Sequence, residues 1–187
     1  MNGRVFFGII LMLVGITVLI ILVTRLVGIT RNGSTDDPAA PSLSSQVNDG
    51  ASLTMEKRGR LIADENHFGY RIIINDERRI LETYQGYEKN IVDRHLFDNN
   101  DVAYEEFIEA ISRTGLTGIK DPAKYGDGTG LCPLGTLNLY ELTNGPDTYV
   151  SQYQTSCGDR TTSASNLETL FRSQIPGFSQ LISGIRL

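Results

Sequence analysis

The sequence contains no tryptophan and only two histidines and two cysteines among its 187 residues. His67 and His95 do not belong to an H-x-x-x-H or H-E-x-x-H pattern, and no C-x-x-C motif occurs. Zinc sites are built from such clusters of ligands. The sequence therefore predicts no metal site, and we expect no cofactor.

Basic residues are also too few for one function class. The chain has 17 basic and 22 acidic residues, which gives a formal net charge of -5. Proteins that bind DNA or RNA gain most of their affinity from a basic surface that releases counterions. The charge balance therefore predicts no nucleic-acid partner.

Charge is entirely missing from residues 5–24, which read VFFGIILMLVGITVLIILVT. A helix of twenty residues is roughly 30 Å long, the thickness of a bilayer core. A signal peptide has a shorter apolar centre and a small-x-small cleavage site, and this run ends in Thr24-Arg25-Leu26. We predict a single-pass transmembrane anchor over residues 1–28, with the lipid bilayer as its partner through residues 5–24.

The orientation of this anchor follows from the rest of the chain. Arg4 on one flank and Arg25 and Arg31 on the other give nearly balanced positive charge. Long domains are translocated largely regardless of their charge, and paired cysteines fit an oxidising compartment. We therefore predict localisation to the cell membrane, with the N-terminus cytoplasmic and the C-terminal domain extracytoplasmic.

Beyond the anchor, composition predicts a linker followed by a folded domain. Residues 29–56 are rich in Ser, Thr, Asp, Gly, Pro and Ala, which is typical of a flexible tether. Residues 57–187 change to short β-branched or alternating runs and amphipathic segments. We predict that this second part folds as the extracytoplasmic domain.

The domain is predicted to be α+β. Short connections between three strand-like runs demand antiparallel neighbours, and a further hairpin is expected around Gly145. Asn100 is a suitable N-cap for a helix that Gly115 ends, and two helices follow at the C-terminus. The predicted order is β-β-β-α-β-β-α-α, an antiparallel sheet with helices on one face. The predicted strands cover residues 70–74, 79–84, 90–96, 137–143 and 149–157.

The two cysteines are predicted to form a disulfide. Cys132 lies 13 residues before Gly145 and Cys157 lies 12 residues after it. A hairpin turning at this glycine would bring them opposite each other at its mouth, at a separation that suits a disulfide.

An enzymatic alternative uses Cys157 as a nucleophile. The anchor, the linker and the stretch Gln154-Thr155-Ser156-Cys157 resemble sortases, which are membrane-anchored cysteine transpeptidases. The resemblance implies that Cys157 attacks, that His95 poises the thiolate and that Arg172 stabilises the oxyanion. The match departs at His95, which follows Asp93-Arg94 where sortases carry Thr-Gly.

Five tyrosines form a candidate binding surface. They alternate along the predicted strands, so one face of the sheet could present aromatic rings to a partner, although packing in the core is the alternative. The five are Tyr84, Tyr87, Tyr140, Tyr149 and Tyr153.

Three short stretches resemble uncharacterised small single-pass membrane proteins of reduced-genome, host-associated bacteria. They are Cys132-Pro133-Leu134-Gly135, Ser156-Cys157-Gly158 and the segment FRSQIPG at residues 171–177. The resemblance implies a bacterial envelope location and an α+β domain, and it transfers no catalytic residue.

Together these features predict a membrane-anchored extracytoplasmic binding or interaction module, and not an enzyme. Its partner is expected to be a protein or another envelope component of unknown identity. Two alternatives remain open, the sortase-like transpeptidase and a structural subunit of an envelope complex.

Overall fold

The computed structural model of the chain describes Leu43, residues 50–116, Gly128, residues 130–158, Arg160 and residues 166–187. The chain divides into two compact units, Met1–Ala39 and Ala40–Leu187, and every described residue belongs to the second. The predicted anchor, residues 1–28, lies outside the described residues. Among the residues that are described, no helix is both long enough and apolar enough to cross a bilayer.

The second unit has the predicted α+β fold, built on one antiparallel sheet that has six strands where five were predicted. Across the sheet the strands lie in the order β4-β3-β2-β1-β5-β6. A short 3-10 helix, Asp64–Asn66, precedes β2. The strands are β1 (Ala51–Arg58), β2 (Phe68–Ile74), β3 (Arg78–Gln85), β4 (Asn90–Asp98), β5 (Leu137–Asn144) and β6 (Asp147–Thr155), and the helices are α1 (Asp101–Ser112), α2 (Leu167–Ser173) and α3 (Phe178–Leu181).

The central strand β1 corrects the linker prediction. It begins at Ala51, so residues 51–56 of the predicted tether belong to the fold, and the folded part starts before residue 57. Leu43, also in that tether, is buried in the core. Ala51, Leu53 and Met55 do alternate with polar residues, as in a strand. The pattern is hard to recognise because it has only three apolar residues and follows a stretch rich in Ser, Thr and Asp.

Strand β1 joins two parts of the chain that are far apart in sequence. On one side it pairs with β2, the first step of the β2-β3-β4 meander, and on the other with β5 of the C-terminal hairpin. Leu53, for example, is paired with Ile74 in β2 and with Leu142 in β5. From the sequence we predicted the meander and the hairpin correctly, but the prediction missed β1, the strand that connects them into one sheet.

The three helices cover one face of the sheet, which we call the helix face. This face carries the side chains of Leu53, Met55 and the residues level with them on neighbouring strands. Apolar side chains from the helices pack onto it and form one continuous core. Phe171 of α2 contacts Phe107 of α1 edge to face at 5.3 Å and lies 5.9 Å from the ring of Tyr140.

The ends of α1 follow the local sequence. The side chain of Asn100 accepts a hydrogen bond from the backbone N–H of Ala103, which confirms the predicted N-cap. Gly115, with φ of 82°, follows the helix and takes up the left-handed conformation that favours glycine. At the start of α2 the Glu168 carboxylate accepts hydrogen bonds from Lys57 and Asn138.

Candidate binding cleft

The predicted disulfide between Cys132 and Cys157 is present, with the Cα atoms 5.7 Å apart. A turn centred at Gly145 predicted that Cys132 and Cys157 lie directly opposite each other in the hairpin. In the structure Cys132 is out of register with Cys157. The backbone folds back in a turn in which Gly135 N–H donates to Cys132 O, and this brings the Cys132 sulfur beside Ser156. A side chain at Gly135 would occupy the space that the Cys132 sulfur and the Ser156 hydroxyl now fill.

The disulfide holds residues 130–136 against the second face of the sheet, which we call the outer face. A small apolar cluster of Leu137, Leu139 and Tyr153 lies on this face. Gly128 packs directly on Leu137 and Tyr153, so that a Cβ added there would meet a Leu137 methyl carbon at 2.8 Å. The clamped segment thereby shields this apolar cluster at one end of the outer face.

Beside this cluster lies a cleft of about 210 Å³. It occupies the end of the outer face where β1 and β3 finish and where β2, β4 and β5 begin. Four stretches of chain converge on it: the end of β1, the residues before β2, the β3–β4 turn and the disulfide-clamped segment. Hydrogen bonds tie these stretches together, since Leu61 N–H donates to Pro133 O and Gly86 N–H to His67 O.

One wall of the cleft is aromatic. The rings of His67 and Tyr87 stack with their centroids 4.2 Å apart and their planes within 16°. His67 Nδ1 bonds to the carbonyl oxygen of Arg60, and the Tyr87 hydroxyl donates to the carbonyl oxygen of Ile62. Both rings are therefore held in place, with His67 buried and Tyr87 46% exposed.

Two cationic side chains also line the cleft. Arg58 and Lys89 are the only charged residues among the described residues that line the cleft. Both bind the buried carboxylate of Glu56 behind it: Lys89 Nζ lies 2.9 Å from Glu56 Oε2, and Arg58 Nε donates to Glu56 Oε1. The Tyr84 hydroxyl also donates to Glu56 Oε1, at 3.2 Å.

This arrangement keeps Glu56 ionised. Burial alone would raise the pKa of its carboxyl group, but the charges and hydrogen bonds of Arg58 and Lys89 outweigh burial and lower the pKa below the ordinary 4.5. Burial and the neighbouring Glu56 charge raise the pKa of Tyr84, so its hydroxyl stays protonated and donates. The ring of Tyr84 reaches Glu56 by crossing Gly69, where a Cβ would collide with it.

A second buried carboxylate continues this pattern across the outer face. Glu56, Arg71, Glu82 and Arg94 are aligned in one row over β1, β2, β3 and β4. Arg71 Nε donates to Glu82 Oε2 at 2.8 Å, and Arg94 Nε donates to Glu82 Oε1 at 2.7 Å. Each of the two buried carboxylates on this face thus binds two cationic side chains.

The five predicted tyrosines do not share one face. Tyr84 lies at the cleft on the outer face, where Tyr153 is buried in the small apolar cluster. Tyr140 and Tyr149 pack in the core of the helix face. Tyr87 is in the β3–β4 turn and is the one with a largely exposed ring. The five tyrosines therefore do not line one face of the sheet. In the hairpin, the β-bulge between Leu142 and Thr143 shifts the register, so that Tyr140 and Tyr153 lie on opposite faces.

The three residues of the transpeptidase alternative are not brought together. His95 lies on edge strand β4 with its Nε2 2.9 Å from Asp93 Oδ2, whereas Cys157 follows the opposite edge strand β6. Four strands lie between these two edge strands, so five inter-strand spacings of about 4.8 Å separate them, on the order of 24 Å. The Cys157 sulfur is bonded to Cys132, and Arg172 stacks on the Phe178 ring at 4.7 Å.

Sequence reasoning missed the charged residues of the cleft. Glu56 and Arg58 are two residues apart and therefore share a face of β1. This spacing predicts that the two side chains are neighbours only if β1 has first been predicted as a strand. Lys89 has φ of 57°, a left-handed conformation that is uncommon for lysine. No sequence pattern predicted this conformation or the position of Lys89 at the cleft.

Comparison with known proteins adds no relative: no family model, curated protein or solved structure matches the chain.

Proposed function

We propose that the chain is a membrane-anchored extracytoplasmic binding module whose cleft on the outer face receives the ligand. In this proposal residues 5–24 span the bilayer with the N-terminus in the cytoplasm. The single observation that carries the proposal is the cleft itself, where an aromatic wall and two cationic side chains converge beside a disulfide. Concave sites with apolar walls and a few fixed polar groups are the usual form of ligand pockets.

The disulfide supports the extracytoplasmic location. Disulfides persist in oxidising compartments and are rare in the reducing cytosol. This one fixes the segment that forms a wall of the cleft, because Cys132 itself lines it. A domain that depends on this bond for its binding surface is suited to the outer side of a membrane.

Binding is favoured over catalysis by the state of the reactive groups. The Cys157 sulfur is in the disulfide and is not available as a thiolate nucleophile. Glu56 is ionised, but Arg58 and Lys89 lower the pKa of its carboxyl group, which makes the carboxylate a weak general base.

Site-specific photocrosslinking in intact cells tests the proposal. Benzoylphenylalanine is placed at Leu61, which lines the cleft and is 40% exposed, in the full chain with its anchor. The matched control carries the same crosslinker at Val102, which is 70% exposed on α1, on the other side of the sheet. We expect a defined adduct from Leu61 that is absent from Val102 and that disappears when Cys132 and Cys157 are both replaced by Ala.

Two results would contradict the proposal. Identical adducts from Leu61 and Val102 would mean that the cleft has no special role. The same partners recovered from both positions, and lost when residues 1–28 are replaced by another anchor, would instead favour a structural subunit of an envelope complex.

A further inference from the structure

The charges around the cleft differ in sign from those of the chain as a whole. The protein has a formal net charge of -5. Nevertheless, among the described residues that line the cleft, Arg58 and Lys89 are charged and none is acidic. The carboxylate that neutralises part of this charge, Glu56, lies behind the lining, and two cations share it. Among the described residues, the charged side chains at the lining are therefore cationic.

Lys89 has hydrogen-bonding capacity left for a ligand. An ammonium group carries three N–H donors. Within the described part of the chain, Lys89 Nζ binds the two oxygens of Glu56, at 2.8 and 2.9 Å. Its side chain is about one third exposed at the cleft. The third donor can therefore form a charge-assisted hydrogen bond with an anionic oxygen.

The volume of the cleft and its apolar lining limit which chemical group can be attached to such an anion. A volume of about 210 Å³ corresponds to roughly seven water molecules. The stacked His67 and Tyr87 rings and the side chains of Leu61 and Leu137 offer apolar contact next to the cations. Four of the twelve lining residues are glycines, so a small group can approach the backbone closely. A small apolar group attached to an anion fits these walls.

We infer that the cleft binds a carboxylate attached to a small apolar group, with the carboxylate on Lys89 and the apolar group against the His67–Tyr87 wall. This inference rests on the proposed function, which it deepens by naming the ligand class. Two sources share this chemistry, a free small carboxylic acid and the C-terminal residue of a peptide. The rings are fixed before binding, so little side-chain freedom is lost when a ligand enters.

Calorimetry and NMR on the full chain in a non-ionic detergent test the inference with matched probes. N-acetylleucine carries the carboxylate, and N-acetylleucinamide has the same shape without the charge. We expect N-acetylleucine to bind with a Kd at least about tenfold lower than that of the amide, because a charge-assisted hydrogen bond is roughly twice as strong as a neutral one. The His67 and Tyr87 ring signals should shift on binding.

Substitution of Lys89 locates the charge that matters. Lys89→Met should raise the Kd for N-acetylleucine about tenfold and leave the Kd for the amide unchanged. Lys57→Met is the matched control, because Lys57 also binds a partly buried carboxylate, Glu168 at 2.7 Å, but on the helix face. It should leave both values unchanged. If Lys89→Met does not fold, the double substitution Lys89→Gln and Glu56→Gln, which replaces the ion pair by a neutral hydrogen bond, serves in its place.

Each further outcome is informative. Tighter binding of N-acetyl-Ala-Ala-Ala-Leu than of N-acetylleucine supports the inference with a peptide C-terminus as the source, and the reverse order supports it with a free acid. Equal binding of N-acetylleucine and its amide overturns the carboxylate assignment but leaves a ligand-binding cleft. Equal binding of inorganic phosphate overturns the role of the apolar wall. If no probe binds while Leu61 still gives its specific adduct, the ligand class is wrong and the binding module stands.

Discussion

The two faces of the sheet are built on different principles. On the helix face, 20 buried residues form one continuous apolar core with α1, α2 and α3. On the outer face, within the described residues, the buried apolar cluster has three members, and two buried carboxylates bind cationic side chains. Apolar burial is the dominant favourable contribution to folding, whereas ion pairs contribute less but fix geometry. Stability is therefore concentrated on the helix face.

The largest expected effect is a cavity on the helix face. Phe171 is fully buried between Phe107 and Tyr140. Phe171→Ala should lower the free energy of unfolding by about 3–5 kcal/mol, as large-to-small changes in cores do. Urea denaturation followed by circular dichroism measures it. Leu134→Ala, on the outer side and 87% exposed, is the control and should stay within about 0.5 kcal/mol. Similar losses in both variants would end the contrast between the faces.

Removal of the disulfide should affect the outer face most. Replacing Cys132 and Cys157 by Ala opens a loop of 25 residues, which costs about 3.5 kcal/mol in the chain-entropy treatment. Urea denaturation gives this value, and hydrogen exchange shows where it acts. Exchange should increase at residues 130–136 and remain slow in α1. Equal acceleration in both would show that the bond supports the whole domain and not the cleft.

Acid should weaken both faces through one carboxyl group each. Burial opposes ionisation of Glu168 on the helix face, but hydrogen bonds and charge from Lys57, with Asn138, lower its pKa, as Arg58 and Lys89 do for Glu56. A lowered pKa stabilises the fold above about pH 4.5, and this contribution is lost as the pH falls towards the folded-state pKa. Glu56→Gln and Glu168→Gln should each flatten the fall in stability below pH 4.5, measured by urea denaturation at several pH values. An unchanged slope in either variant would contradict the assignment for that face.

The smallest effects concern exposed arginines. Arg94 is 55% exposed but binds the buried Glu82, whereas Arg113 forms an i,i+4 pair with the exposed Glu109 on α1. Arg94→Ala should cost about 1 kcal/mol and Arg113→Ala about 0.3 kcal/mol, since solvent screens the second pair more fully. Thermal unfolding at low and high salt measures both. A larger loss for Arg113 would mean that the buried carboxylates of the outer face matter less than their geometry indicates.

Much of the fold could be predicted because its signals are local. Five of the six strands lie where alternation and turn residues placed them, and Asn100 caps α1 as its residue type indicates. Strand β1 was not predicted because its pairing with β2 and β5 depends on partners up to about 90 residues away in the sequence. The cleft could not be predicted for the same reason: its lining comes from stretches that are adjacent only in the folded chain.

The sequence by itself determined the α+β class and the placement of most strands and of α1, because these depend on periodicity and capping. It also indicated that Cys132 and Cys157 pair, but the turn that brings their sulfur atoms together was decided by the tertiary structure. The tertiary structure decided which tyrosines are buried, which carboxylates bind cations and where a ligand can enter. Those properties follow from which side chains meet across the sheet. A shift of one residue in strand register moves every side chain of the strand to the other face, and the register of strands that are distant in sequence is set only when they pack together.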